Sequence, residues 1–247
     1  MKAMILAAGK GTRMMPLTLD TPKPLIEIQG ISLLEHTIRY LKYYGVTEII
    51  INIHHLPDQI IDFVNRNNSF GIHIEFSDES GELLDTGGGL YKAGWFFDDC
   101  EPFILTSSDV ITTLNLHQMM QEFKDADPLV LLAVKHRNST RDFIFDSEYN
   151  LIGWHNNKTG ENRLIRQENE FTRAAFSTIH VIHPRIIDLI TERNRFSIID
   201  LYLRLALEHK VKGFLHDDSE WFECGRFESL DMLNRSDEIK RIIKKYE

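Results

Sequence analysis

Two cations, Arg13 and Lys23, follow an apolar run from Ala3 to Ala8 that gives way at once to Gly9 and Gly11. Ala7, Ala8, Gly9 and Gly11 carry no bulky side chains, so the main chain there can lie close to a ligand. A buried strand ending in such a loop is how an α/β sheet presents backbone N–H groups to phosphate. Arginine grips phosphate oxygens as a bidentate fork, whereas lysine acts as a movable point charge. Pro16, Pro22 and Pro24 fix φ and stiffen the loop that carries both cations. The dinucleotide fingerprint would require glycine where Met14 stands, and Gly9-Lys10-Gly11-Thr12 lacks the P-loop spacing, so neither motif applies. A tight surface turn explains any one of these residues; the whole stretch is more specific.

Asp109 stands just past the apolar run Pro102–Thr106. A carboxylate there, beyond the C-terminal end of a parallel strand, lies on the ligand-binding edge of the sheet, its competing use being a cap or turn. Gly87-Gly88-Gly89 reads as a loop before a helix from Leu90 to Phe97, suited to close approach of a planar or anionic ligand or simply to a flexible turn. His180 and His183 lie on a strand ending at Pro184 and lack the helical spacing of a zinc pair.

The elements that must hold these residues alternate. Helices are predicted over 32–44 and 57–67, between strands over 48–53 and 71–76. A helix over 115–124, a strand over 128–135 and a strand over 174–182 follow, with helices over 184–192 and from Ser197 to about His209. A strand over 212–216 precedes a closing helix over 227–246. Segments 142–145 and 151–155 read as an antiparallel hairpin. The expected fold is α/β: a Rossmann-like three-layer sandwich with a mainly parallel mixed sheet. It forms a single domain, 1–247, with a small antiparallel annex around 136–175. Arg141 and Asp142 there are candidates for ligand contact or simply a solvated hairpin edge, and Trp154 is assigned to the core.

The N-terminal stretch Leu6-Ala7-Ala8-Gly9-Lys10-Gly11-Thr12-Arg13, continuing through Pro16-Leu17-Thr18 to Pro22-Lys23-Pro24, resembles the signature of the sugar-1-phosphate nucleotidylyltransferases. The likeness is greatest to short bacterial enzymes that transfer uridylyl or guanylyl groups to N-acetylmuramate 1-phosphate or mannose 1-phosphate. It implies the nucleotide-diphospho-sugar transferase fold and attack of a sugar 1-phosphate on the α-phosphorus of an NTP, UTP or GTP. It implies catalytic roles for Arg13, Lys23 and Asp109. Leu6, Ala7, Ala8, Gly9, Gly11, Thr12, Arg13, Gly87, Gly88 and Asp109 would bind nucleotide. Lys23, Arg141, Asp142, Ser177 and Thr178 would bind the sugar phosphate, with the annex around 136–175 closing on the sugar. Mg²⁺ would sit on Asp109 and on Glu223, which replaces the usual aspartate of a W-x-D-V-G-T motif read here as Trp221 to Arg226. Ser108 and Thr178 stand where the family carries glycine, so a shifted metal loop and an altered sugar pocket are expected. These departures also motivate an alternative: a non-catalytic nucleotide-binding or regulatory relative.

A net charge of −9 argues against general nucleic-acid binding but leaves room for a locally cationic nucleotide site. The apolar runs are too short to span a bilayer and no signal peptide is evident. With Cys100 and Cys224 the only cysteines, a cytoplasmic protein is expected. A homo-oligomer is left open.

Overall fold

The structure, a computed structural model, describes residues 1–246. Strand β1 (Lys2–Leu6) alternates in its burial: Ala3 and Ile5 join one apolar layer and Met4 the other. Both faces are covered, hence the nearly unbroken apolar run. A short hairpin, β2 (Glu27–Ile28) and β3 (Ile31–Ser32), leads into helix α1 (Leu33–Tyr43), whose N-cap Ser32 accepts from the Glu35 N–H at 3.2 Å. Strand β4 (Glu48–Ile53), helix α2 (Pro57–Arg66) and strand β5 (His73–Asp78) complete the first half. The last of these starts later than predicted because residues 68–71 form a 3₁₀ turn with Ser69 and Phe70 in left-handed conformations.

Helix α3 (Asp85–Ala93) then crosses to strand β6 (Phe103–Ser107), followed by the short β7 (Val110–Thr112), helix α4 (Leu116–Ala126) and strand β8 (Val130–Lys135). The remaining strands are β9 (Arg141–Phe145), β10 (Leu151–Asn156), β11 (Asn162–Leu164), the long β12 (Thr172–Ile182), β13 (Val211–Leu215) and β14 (Trp221–Glu223). Helix α5 (Ile198–Leu205) precedes β13, and α6 (Leu230–Arg235) and α7 (Asp237–Lys245) close the chain.

Ten strands form one sheet, ordered β11-β10-β9-β12-β6-β1-β4-β5, with β8 and β13 branching from β12. The chain moves outward from β1 through β4 to β5, then returns to the other side of β1 as β6. That reversal opens a crevice beyond the C-terminal end of β1. Helices α1, α2, α4 and α7 cover one face and α3 and α5 the other, giving the expected three layers.

The 136–175 segment is antiparallel as expected and joins the main sheet, because Ala174 and Ala175 of β12 pair directly with Phe143 and Asp142 of β9. Three expectations are corrected. The predicted helix after Pro184 is a 3₁₀ turn, Pro184–Leu189. The closing helix is two, since the extended Ser236 ends α6 and its side chain caps α7 through the Ile239 N–H. The Gly87–Gly89 stretch is helix, not loop: all three glycines are buried within α3. A Cβ on Gly87 would strike the Phe196 ring, and one on Gly88 would lie 2.5 Å from the Asn194 carbonyl. These glycines admit the 194–196 segment against the helix. No helix among the described residues is long and apolar enough to cross a membrane.

Candidate active site

Beyond the ends of β1 and β6 lies a cleft with two halves, of about 590 Å³ and about 650 Å³. The first half is floored by Leu6, Ala7, Ala8 and Gly9 and reaches Lys23, Asn52, Glu79, Thr86 and Arg195. The second is walled by the 137–142 segment, Trp154, Trp221 and Glu223. Ser107, Asp109, Arg141, Phe176 and Thr178 border both halves.

The glycine loop is shaped by specific contacts. Gly11 has φ +64°, and a Cβ there would lie 2.7 Å from Thr18 Cγ2, so only glycine fits. Thr18 Oγ1 in turn donates to the Gly11 carbonyl at 2.9 Å. Residues 12–14, 17–19 and 23–25 make three successive 3₁₀ turns that carry Arg13 outward and Lys23 inward. The backbone behind them is fixed by a buried polar chain. The Ala7 N–H donates to Asn52 Oδ1 at 2.7 Å, Asn52 Nδ2 donates to Glu79 Oε1 at 2.7 Å, and the Leu84 N–H donates to Glu79 Oε2 at 3.0 Å. Asn52 and Glu79 were not singled out from the sequence, although a polar residue inside the strand Glu48–Ile53 is a visible signal.

Four charged groups meet at the junction of the halves. The Lys23 ammonium pairs with the Asp109 carboxylate, and Arg13 Nη1 donates to Glu223 Oε1 at 2.7 Å. The acids are brought together by an antiparallel ladder: Glu223 of β14 faces Val110 of β7, and the Cys224 N–H donates to the Asp109 carbonyl at 2.8 Å. Burial alone would raise the Asp109 pKa, but Lys23, with help from Ser107 and Arg13, holds the carboxyl below its usual range. Cys224 lies buried beneath, its thiol pushed up to about 12 by burial, as suits a packed and unreactive side chain. Arg226 adds a longer contact to Glu223 at 3.4 Å.

Asp109 and Glu223 supply hard oxygen donors of the kind Mg²⁺ takes. Gly225 preserves space beside them: a Cβ there would lie 2.8 Å from Asp109 Oδ2 and 2.7 Å from Lys23 Nζ. Among the described residues no cluster of three or more His, Cys, Asp or Glu side chains is present, so a cation held here would complete its shell with water and ligand oxygens. Ser108 is buried, lies outside the left-handed region and donates its N–H to the Leu6 carbonyl at 3.2 Å, so its Cβ adds no backbone strain to the Asp109 loop.

Of the residues assigned to nucleotide, Leu6, Ala7, Ala8, Gly9 and Asp109 border the first half. Arg13 borders the second, while Gly11, Thr12, Gly87 and Gly88 border neither. The Gly87 N–H is taken by the Phe196 carbonyl at 3.0 Å. Of those assigned to the sugar phosphate, Arg141 and Thr178 border both halves, Asp142 the second and Lys23 the first. Ser177 is fully buried, its hydroxyl bonded to His216 Nε2 at 2.8 Å, and it borders neither half. Arg137 escaped notice in the sequence; its guanidinium lies 3.9 Å from the centroid of the Trp221 ring and donates to the Phe176 carbonyl at 2.8 Å. Trp154 is buried as expected, yet also borders the second half.

Residues 2–143 match the nucleotidyl transferase family. The chain is 29% identical over 92% of its length to a UTP–glucose-1-phosphate uridylyltransferase of Synechocystis, covering 60% of that protein. It is 40% identical over 49% of its length to an N-acetylmuramate alpha-1-phosphate uridylyltransferase of Neisseria meningitidis, covering 52% of it. It is 30% identical over 92% of its length to mannose-1-phosphate guanyltransferase 2 of Candida glabrata, covering 62% of it. The chain thus spans between about half and three fifths of these relatives. Its fold matches that of HddC from Yersinia pseudotuberculosis, with TM-score 0.73 and 20% identity over 100% of this chain and 99% of that one. It also matches an apo UDP-glucose pyrophosphorylase, with TM-score 0.77 and 15% identity over 97% and 98% of the two chains.

Proposed function

Because this chain belongs to the nucleotidyl transferase family, we propose that it joins the nucleotidyl group of an NTP to a sugar 1-phosphate and releases pyrophosphate. The observation that carries this reading is the double ion pair, Lys23 with Asp109 and Arg13 with Glu223, at the junction of two cavities. A phosphate oxygen of the sugar 1-phosphate attacks the α-phosphorus in line. The bond to the α,β-bridging oxygen breaks, and the electron pair leaves with pyrophosphate. A phosphate monoester is largely dianionic near neutral pH and needs no general base. Catalysis is therefore positioning and charge neutralisation.

The first half takes the nucleotide along the β1 end, where small residues let the backbone approach the phosphates. Lys23 neutralises charge at the reacting phosphate, and Arg13 holds the outer phosphates as a fork. Asp109 and Glu223 would hold Mg²⁺, which when bound spreads the charge of the phosphate oxygens. The second half takes the sugar, with Arg137, Arg141 and Asp142 on its wall. UTP and GTP both suit the relatives' named activities. Consumption of an NTP and two cysteines without a disulfide suit a cytoplasmic enzyme.

The test is pyrophosphate release across a grid of NTPs and sugar 1-phosphates, with Mg²⁺ and with EDTA. One Mg²⁺-dependent pair is expected to stand out. Nucleotide binding with no turnover anywhere in the grid would replace this reading with that of a binding protein.

A further inference from the structure

Strand β12 is where the two halves of the cleft meet. Along one edge it pairs with β9 through residues 172–175 and with β6 through residues 179–182. The stretch between is unpaired on that edge, and the register with β8 on the other edge shifts between Phe176 and His180. Thr178 sits in this gap with φ +59°. That left-handed conformation is costly for a β-branched side chain.

Its neighbours are pinned. Arg137 Nη2 donates to the Phe176 carbonyl at 2.8 Å, Trp221 Nε1 donates to the Ser177 carbonyl at 3.0 Å, and the Ser177 hydroxyl is bonded to His216. The backbone at residue 178 is therefore over-determined, the circumstance in which strain persists at functional sites. The result brings the Thr178 hydroxyl within 2.8 Å of the Ser107 hydroxyl, bridging β12 and β6, and both residues border both halves of the cleft.

We propose that the Thr178–Ser107 hydroxyl pair is a specificity gate at the neck of the cleft, admitting sugar 1-phosphates with a hydroxyl at C2 and rejecting those with an acetamido group there. The inference rests on the two-substrate reading above. With the phosphate at Lys23 and the ring in the second half, the atoms that cross the neck are the ester oxygen, C1 and the two ring neighbours of C1. One neighbour is the ring oxygen, which bears nothing. The other is C2, whose substituent is the one that varies among sugars. A C2 hydroxyl can both donate to and accept from a pair of hydroxyls. An acetamido group puts a branched amide where the β-branched side chain already stands.

The test compares kcat/KM for glucose 1-phosphate and mannose 1-phosphate with that for N-acetylglucosamine 1-phosphate, using the productive NTP, in wild type, Thr178→Gly, Thr178→Ser and Ser107→Ala. Glycine adopts the native φ without strain, so Thr178→Gly is expected to fold with an equal or higher Tm. Wild type is expected to favour the better 2-hydroxy sugar at least about tenfold, Thr178→Gly to shrink that ratio about tenfold or more, and Thr178→Ser to keep most of it. Ser107→Ala, which unties the pair, is expected to shrink it less than Thr178→Gly. An unchanged ratio in folded Thr178→Gly, or a wild type that prefers the acetamido sugar, overturns the gate. A wild type inactive on every pair refutes the nucleotidyl-transfer reading itself, and the gate with it.

Discussion

Lys23 and Asp109 form the most consequential pair of side chains in the cleft. Both are largely buried, with 14% and 15% of their side-chain surfaces exposed, so each depends on its partner for charge compensation. On the proposed reading, an anionic substrate would reverse the balance, drawing the ammonium toward phosphate and freeing the carboxylate for a cation. On that reading, Lys23→Ala removes a point charge that neutralises the reacting phosphate. Its kcat is expected to fall roughly 10²- to 10³-fold, with circular dichroism and the unfolding transition still those of a folded protein. Pyrophosphate release at wild-type rate would remove Lys23 from the machinery. Arg13 and Glu223 are more open, with 55% and 31% exposed, and their pair contributes little to stability by itself. On the proposed reading, its value lies in holding a fork and a carboxylate at the junction of the two halves before substrate arrives.

Helix α3 shows how an element can serve a site without touching its ligand. Its three glycines are poor helix formers, and Gly→Ala in a helix interior ordinarily stabilises by up to about 1 kcal/mol. Here packing opposes propensity. A methyl on Gly87 meets the Phe196 ring, and the 194–196 segment it would displace leads to Ser197, the N-cap of α5, and carries Arg195 on the first half of the cleft. Gly87→Ala is expected to destabilise by about 1–3 kcal/mol, read as a lower urea midpoint, and to raise KM for the NTP. A gain in stability would mean that Phe196 is free to move aside. The glycine run was legible in the sequence as a place of close approach. What approaches is this chain's own return segment, more than 100 residues later.

Over the whole molecule, charge and burial set the response to acid. His216 and His180 are buried, and desolvation pushes their pKa values from 6.5 down to about 4 and about 3; His36, on the buried face of α1, is likewise pushed to about 4. The unfolded chain therefore binds protons that the native state does not. Stability is complete above about pH 6.5 and is lost as pH falls from there toward 4, at about 1.4 kcal/mol per group for each pH unit in that window. Asp109 acts lower: its depressed pKa supplies stability above 3.8 that is lost as pH falls through the folded value. The unfolding free energy from urea titration is expected to drop by several kcal/mol between about pH 7.5 and 5.0, and His216→Asn to flatten part of that slope. A level profile over this range would show that these histidines are not neutral in the native state.

The sequence by itself determined the layer order, because period-two and period-3.6 apolar patterns dictate strands and helices wherever both faces are covered. It also placed small residues, fixed prolines and two cations together in the first 25 residues, and Leu6 to Gly9, Arg13 and Lys23 do line the cleft. It pointed to Asp109, since strand ends mark the ligand edge of a parallel sheet. Tertiary structure alone decided the rest. Asp109 and Glu223 lie 114 positions apart and meet through a β7–β14 ladder of three residue pairs, too short to read as strands. Ser177 and Thr178 are adjacent and alternate in direction, and distant partners decide what each meets: Ser177 is locked on His216, while Thr178 borders the cleft and reaches Ser107. Local pattern encodes which elements form. Which side chains share a cleft depends on contacts between distant segments, and no local window contains both partners.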